Sequence, residues 1–297
     1  MADRGRNEAF YQALKQVIIP RKTVVADLGS GTGFLSFLAS KLGAKECYLY
    51  EKSSDLIKLS QKIAKQNNIK NSHFFNAYSA EMRSPIRADV VISETLGNSA
   101  YEEHIIEIMN DAKRFLKPGG IILPQRLRYF VAPVIAERIA KNINPWDTIG
   151  FSLNFDAMKD VSLNNLYVKT LKPNELLDNG ETAKQWDKID FTQKNNSLRQ
   201  GSARWKMNRP ATIFGVAIWW ECDVLPKISI STSPLEAPTH WEQIFLPALS
   251  PLSLQKNDTL NVSLYSNTGY RVGIDFRWEI KTKNARQKMD LKKGWIT

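Results

Sequence analysis

The run Asp27-Leu28-Gly29-Ser30-Gly31-Thr32-Gly33 constrains the fold of this chain more than any other stretch. It follows the β-branched segment TVVADL and precedes GFLSFLASKLG, so it reads as a tight turn from a strand into a helix. Glycines in such a turn admit backbone conformations closed to other residues, and they let the chain approach a ligand closely at a helix N-terminus. The rival dinucleotide fingerprint, G-x-G-x-x-G, needs a third glycine where this chain has Phe34. Asp27 also argues against a pyrophosphate, because a fixed negative charge sits badly beside one. A sulfonium cofactor with an amino-acid tail tolerates that acid.

Strand and helix alternate on both sides of this turn. Residues 4–17 read as a helix with Phe10, Leu14 and Val17 apolar and Pro20 ending it. The helix after the turn stops at Gly43, and ECYLYEKS is a strand ending at Glu51. Ser53 or Ser54 caps the next helix, whose Leu56, Leu59 and Ile63 are expected on its buried face. SHFFNAY and ADVVISE are further strands, YEEHIIEIMNDAKRFLKPGG is a helix with a Pro-Gly-Gly stop, and IILP is another strand. Residues 1–124 are therefore expected to form a Rossmann-like, doubly wound α/β domain with a parallel sheet covered on both faces. From about residue 211 the segments TIFGVAIWW, ISISTS, LNVSLYS and RVGIDFRWEI are short, β-rich and separated by turn residues. In the last, Val272, Ile274, Phe276, Trp278 and Ile280 alternate with period two. Residues 125–297 thus read as an antiparallel β-barrel or sandwich, entered through a helical excursion broken at Asn144-Pro145.

Composition narrows the functional classes. With 297 residues, 43% hydrophobic and 24% charged, the chain has the profile of a soluble globular protein of one or two domains. No apolar run reaches the roughly 18 residues of a membrane span. The N-terminal MADRGRNEAF has no apolar core of a secretory signal. Cys47 and Cys222 fit neither a disulfide framework nor a zinc site, so a reducing, cytoplasmic compartment is the expectation. The net charge is +11, and KTKNARQKMDLKKGWIT at the C-terminus holds six basic residues against one acid. That tail is expected to be solvated, with nucleic acid or an acidic partner as the alternative.

Three further features carry chemistry. Glu51, at the end of the second strand, is placed to accept from two ribose hydroxyls. Ala80-Glu81-Met82 follows the third strand, where Glu81 accepts from an adenine amine and Met82 packs on the ring. Taken in order with the glycine turn, these motifs point to S-adenosyl-L-methionine. The fourth strand runs into SETLGNSAYEE, in which Glu94 and Glu103 flank Gly97-Asn98. Two close carboxylates repel, and a guanidinium between them removes the conflict by meeting each with paired N–H donors. A loop acid favouring a helix N-terminus is the plainer reading for Glu102.

In these motifs the sequence resembles the protein arginine methyltransferase family over nearly its full length. VADLGSGTGFLS, the acidic end of the second strand, AEMR and SETLGNSAYEE match that family's motifs in order, and Glu94 and Glu103 match its glutamate pair. The resemblance implies that Thr239-His240-Trp241 is the family loop that closes over the arginine site, with His240 catalytic and Trp241 binding substrate. It implies that Asp3 and Arg6 are a D-x-x-R whose arginine pairs with the cofactor carboxylate. It also implies that residues of about 135–150 are a dimerisation arm, expected to bury Ile139, Ile143 and Trp146 in a twofold contact of a homodimer. Family members carry a further helix with a Tyr-Phe pair ahead of the D-x-x-R. Here Met1 falls directly before that match and Phe10-Tyr11 lies beyond Arg6, so the expectation is either that this start is too late or that the protein does without this helix. The loop is closer to the form in symmetric-dimethylating members than to the commonest aromatic-rich one, which leaves the product open. The rival functions are a methyltransferase of the same fold acting on RNA or a small molecule, which the basic surplus favours and the paired acids oppose, and a non-catalytic dimeric scaffold that binds the cofactor.

Overall fold

The computed structural model describes residues 3–294. It divides the chain into two compact units: one of the residues through Leu127 with Ile189–Asn196 and Cys222–Ile230, the other of the remainder.

The first unit alternates helix and strand: α1 (Arg4–Val17), β1 (Val24–Leu28), α2 (Phe34–Lys41), β2 (Glu46–Glu51), α3 (Ser54–Gln66), β3 (Ser72–Asn76), β4 (Ala88–Ile92), α4 (Ile105–Ala112) and β5 (Leu116–Leu123). The strands pair in parallel in the order β3-β2-β1-β4-β5. The chain therefore winds outward from β1 to β3 and then returns to the other side of β1. That reversal opens a crevice at the C-terminal ends of β1 and β4, where doubly wound sheets bind ligands. α1 starts because the Asp3 side chain accepts from the Arg6 amide at 2.9 Å, and it buries Phe10, Ala13 and Leu14. Ser53 caps α3 in the same way.

Two local expectations are corrected here. α3 buries Ile57, Ser60 and Ala64, while Leu59 is 44% exposed and Leu56 and Ile63 are half-buried. The two sets differ by a one-residue shift, about 100° of helix rotation. The small side chains of Ser60 and Ala64 let the helix lie close on the sheet. The fourth helix is shorter than its pattern suggested, and Pro118-Gly119-Gly120 lies inside β5 instead of stopping a helix. The β4–β5 register shifts between Ala88 and Val90, and a Cβ at Gly120 would come within 3.0 Å of the Asp89 carbonyl oxygen. The glycine is there to permit that bulge.

The second unit begins within β6 (Arg126–Val134) and continues through α5 (Glu137–Ile143), α6 (Asp156–Leu163), β7 (Tyr167–Lys169), β8 (Lys184–Asp190), β9 (Leu198–Lys206), β10 (Ala211–Leu225), β11 (Ile228–Ser231), β12 (Gln243–Leu254), β13 (Thr259–Asn267), β14 (Asp275–Lys281) and β15 (Arg286–Asp290). The strands form one sheet in the order β7-β12-β10-β6-β8, with β11 on β10, and a second in the order β15-β14-β13-β9. Trp278 Nε1 donates to the Pro247 carbonyl at 2.7 Å and Gln287 Nε2 to the Ser250 carbonyl at 3.0 Å, which tie the two sheets together. In β14 the alternation holds for Phe276, Trp278 and Ile280, all buried. Val272 and Ile274 precede the strand and are 42% and 36% exposed, because the chain is still turning at Gly273 (φ 70°).

The helical excursion breaks at Asn144-Pro145 as its sequence indicates. Its apolar side chains, however, are largely packed within their own chain. Ile139 and Ile143 are 2% and 7% exposed and belong to a core with Val134, Leu163, Trp219 and Phe245. Trp146 donates to Ser162 Oγ at 2.7 Å and stacks on Phe155. Phe151 and Leu153, 90% and 62% exposed, are the apolar side chains left outside. The basic C-terminal stretch is likewise not a loose tail. Through Gly294 it completes β14, turns, forms β15 and ends in a short 3-10 turn at Leu291–Lys293, and its last three residues lie outside the described ones. Among the described residues no helix is long and apolar enough to cross a membrane.

Candidate functional site

The glycine turn is held by the strand beside it. The amides of Gly29 and Ser30 both donate to the Tyr50 carbonyl, at 2.9 and 3.1 Å. Glu51 fixes the rest: its Oε2 accepts from the Gly31 amide at 3.0 Å and its Oε1 from the Ser53 amide at 2.8 Å. Glu51 is 7% exposed, and each carboxylate oxygen keeps a second acceptor position, so a ribose can still be bound there. Gly31 (φ 54°) and Gly33 (φ 82°) serve different needs. A Cβ at Gly31 would meet nothing within 4 Å, whereas one at Gly33 would lie 2.6 Å from the Phe37 ring. Gly31 thus borders open space that a ligand can enter, and Gly33 lets α2 close on the sheet. A Cβ at Gly29 would come within 3.0 Å of Thr95 Cγ2.

Asp27 is 2% exposed and accepts from Ser36 Oγ at 2.7 Å. Burial pushes its pKa up to about 6; the Ser36 hydrogen bonds oppose that shift, and the charges of Glu94 and Glu51 add to it. Among the described residues, Arg6 Nε and Ser30 Oγ are buried without a hydrogen-bond partner. Ser30 Oγ, on the turn itself, and Arg6 Nε are donors that suit the amino-acid end of S-adenosyl-L-methionine, whose carboxylate accepts hydrogen bonds.

The acidic loop leaves the end of β4, tied to β1 by Ser93 Oγ donating to the Leu28 carbonyl at 2.8 Å. Glu94 points back into the unit, where its Oε2 accepts from Arg6 Nη2; the two side chains are 11% and 13% exposed. The arginine expected on a cofactor carboxylate therefore stands on the glutamate expected to hold a substrate. The second acid also differs from expectation. Glu102 is the one folded into the loop, its Oε1 accepting from the Asn98 amide at 2.7 Å, and burial raises its pKa. Gly97 is required because a side chain there would collide with the Glu102 carboxylate. Glu103 is exposed at the next position, just before the chain turns through His104 (φ 62°) into α4.

Glu81 ends a short 3-10 turn and is exposed, and Met82 is half-buried. This turn is clamped by Arg114, which donates to the Met82 carbonyl at 2.8 Å and the Ser79 carbonyl at 3.1 Å. Arg114 went unread in the sequence, where an arginine after an amphipathic helix looks like surface charge.

In the second unit, His240 is exposed. Trp241, expected to touch substrate, is 3% exposed and packs edge-on against Trp220 with centroids 4.8 Å apart. It is an inward anchor for the loop, with its ring 4.0 Å from that of His240. Gln243 secures the following strand, accepting from the Leu171 amide and donating to the Thr232 carbonyl, both at 2.8 Å.

An all-parallel sheet with a glycine turn after β1 and an acid closing β2 is the frame of a methyltransferase domain, and residues 19–188 match the family model of that description. Residues 125–283 match a second model, the arginine methyltransferase oligomerization subdomain. The chain belongs to the protein arginine methyltransferase family. It is 27% identical over 289 residues to the histone-arginine methyltransferase CARMER of Anopheles gambiae, covering 92% of this chain and 46% of that protein. It is 26% identical over 259 residues to protein arginine N-methyltransferase 6 of Xenopus tropicalis, covering 83% and 76%. The chain thus spans about half the length of the first relative. Among solved structures, the Trypanosoma brucei PRMT1 enzyme–prozyme heterotetrameric complex with AdoHcy is similar in fold at 18% identity, with a TM-score of 0.83 over 97% of this chain and 95% of that one. Arabidopsis thaliana protein arginine methyltransferase 10 follows at 20% identity and a TM-score of 0.79, covering 98% and 95%.

Proposed function

We propose that this chain transfers methyl groups from S-adenosyl-L-methionine to a guanidinium nitrogen of arginine in a protein substrate. The observation that carries this reading is the Arg6–Glu94 pair: Glu94, nearly buried at the end of β4, already holds a guanidinium. The domain division we propose is 1–124 for the cofactor and 125–297 for the substrate.

S-adenosyl-L-methionine supplies an electrophilic methyl group when bound. Gly29, Gly31 and Gly33 shape its bed, Glu51 takes the ribose, Glu81 and Met82 the adenine, and Arg6 the carboxylate. Drawing Arg6 to that carboxylate releases Glu94 for a substrate guanidinium, with Glu103 as the second acid. Asp27 contributes a negative charge beside the cationic end. A substrate arginine keeps its proton near neutrality, because its pKa above ~12 makes prior deprotonation cost roughly 7 kcal/mol. Glu94 and Glu103 therefore act by orienting one nitrogen toward the methyl group and drawing positive charge toward the other. His240 is proposed as a further catalytic group, and Trp241 as the side chain that sets its position. A homodimer is proposed through the exposed Phe151 and Leu153, and a reducing, cytoplasmic setting suits the buried Cys47 and Cys222, which are not joined in a disulfide.

Incubation with methyl-labelled cofactor and an Arg-Gly-rich peptide, followed by hydrolysis, tests the reading. Label is expected in methylarginine, and Glu94→Gln is expected to lower transfer about a hundredfold, the loss of ~3 kcal/mol of oriented charge pairing, with cofactor affinity kept or raised because Arg6 loses its competing partner. Label in nucleic acid, or full transfer by the variant, would overturn it.

A further inference from the structure

The four-stranded sheet of the second unit has an outward face that the proposed reaction does not use. Inward residues of these strands, such as Ala203, Val262, Leu264, Trp278, Ile280 and Met289, are buried, so the alternate set points to solvent. Read across the register, Arg204 lies opposite Asn261, Asn261 opposite Lys281, and Lys281 opposite Arg286. This row crosses all four strands without an acid and spans roughly 14 Å at the usual strand spacing. Lys206 on β9 and Lys283 in the β14–β15 turn extend it, and all five cations are exposed.

Charge is distributed unevenly along this face. At its far end Asp275 and Asp290 are neutralised by Arg277, at 2.8 and 3.6 Å, and by Lys292, 3.5 Å from Asp275. At the near end Glu279 is shared by Arg286 and Lys288, at 3.0 and 3.8 Å. Arg204, Lys206, Lys281 and Lys283 have no carboxylate partner among the described residues. Glu279 offsets only one of the two charges of Arg286 and Lys288, so the row keeps a net positive charge, and such a row attracts a polyanion. The same face holds an open groove of about 680 Å³, lined by Gln200, Ser263, Tyr265 and Arg277 and by Glu279 and Asp290, whose charges are offset by their arginine and lysine partners. Arg277 lies over the Tyr265 ring, 5.0 Å from its centroid. Hydroxyl and amide groups can bind phosphate and sugar, and a tyrosine–guanidinium platform is a surface on which bases stack. An acidic peptide would use the cations and leave that platform idle.

We propose that the outward face of β9, β13, β14 and β15 binds single-stranded nucleic acid, with the Arg204–Lys281–Arg286 row on its backbone and Tyr265 against a base.

Fluorescence anisotropy of a labelled oligouridine between 50 and 200 mM KCl tests this on the full chain. Saturable binding is expected, steeply weakened by salt. The triple substitution Arg204→Ala, Lys281→Ala, Arg286→Ala should weaken it at least tenfold and reduce the salt slope by about 2, for three phosphate contacts on a single strand. Tyr265→Ala should weaken it about fivefold while keeping the slope. Because the three cations are exposed, the unfolding midpoint and methyl transfer to a peptide should stay as in the wild type, which separates this proposal from the reaction itself. Absence of binding at 50 mM KCl, or a triple variant that binds like the wild type, would overturn it. So would equal affinity for a poly-glutamate peptide of the same charge, which would assign the face to an acidic protein.

Discussion

Glu94 and Arg6 each sit in the first unit's candidate site, yet their meeting makes the site more than a set of motifs. If Arg6 alternates between Glu94 and the cofactor carboxylate, the cofactor must bind first. Arg6→Ala is then expected to weaken cofactor binding at least tenfold in calorimetry while a substrate analogue binds the cofactor-free protein more tightly than before. Unchanged order of binding in the variant would reject the exchange. The glycines separate binding from folding. Gly31→Val should remove cofactor affinity, since the new side chain enters open space at a positive φ, at a stability cost of only ~1–2 kcal/mol. Gly33→Val should instead lower the melting temperature sharply, because its Cβ meets the Phe37 ring. Asp27 supplies a pH signature. Its folded pKa, about 6, lies above the ordinary 3.8, so the folded state holds the proton more tightly and stability falls as pH rises from about 4 to 6. The difference amounts to roughly 3 kcal/mol. Urea melts across that range should show the fall in the wild type and a flatter profile in Asp27→Asn; parallel profiles would mean that the carboxyl is not desolvated.

At the scale of elements, the N-cap of α1 and the core of the excursion carry separate loads. Asp3→Ala should cost ~1 kcal/mol and loosen the first turn, which also carries Arg6. Ile139→Ala should cost 2–5 kcal/mol, about the range for a buried aliphatic, because that side chain lies in its own chain's core. Chemical denaturation measures both, and a neutral Ile139→Ala would put that side chain back among candidates for a partner contact. Helix and strand identities in the first unit were legible because caps, helix stops and β-branched runs are local signals: Pro20, Gly43 and Ser53 mark boundaries without tertiary help. The buried face of α3 was not. Two apolar-and-small stripes one residue apart are both present in its sequence, and only contact with the sheet selects Ile57, Ser60 and Ala64 over Leu56, Leu59 and Ile63.

Across the whole molecule, self-association and charge are the properties to test. Phe151→Asp should convert a sedimenting dimer to a monomer with its melting temperature kept, since the ring is 90% exposed and supports no core. A wild-type monomer at micromolar concentration would remove the dimer from the reading. The sequence alone determined the order of elements through about residue 124, the parallel α/β start and the β-rich second half, because turn chemistry, periodicity and motif spacing are local properties of a chain. Tertiary structure decided which of two neighbouring acids, Glu102 or Glu103, folds into the loop, that Trp241 turns inward, and that Ile139 and Ile143 serve their own core. It also turned a basic stretch from a tail into one side of a four-stranded face. In each case the deciding quantity is what lies across from a side chain once distant segments meet, and no spacing along the chain encodes that.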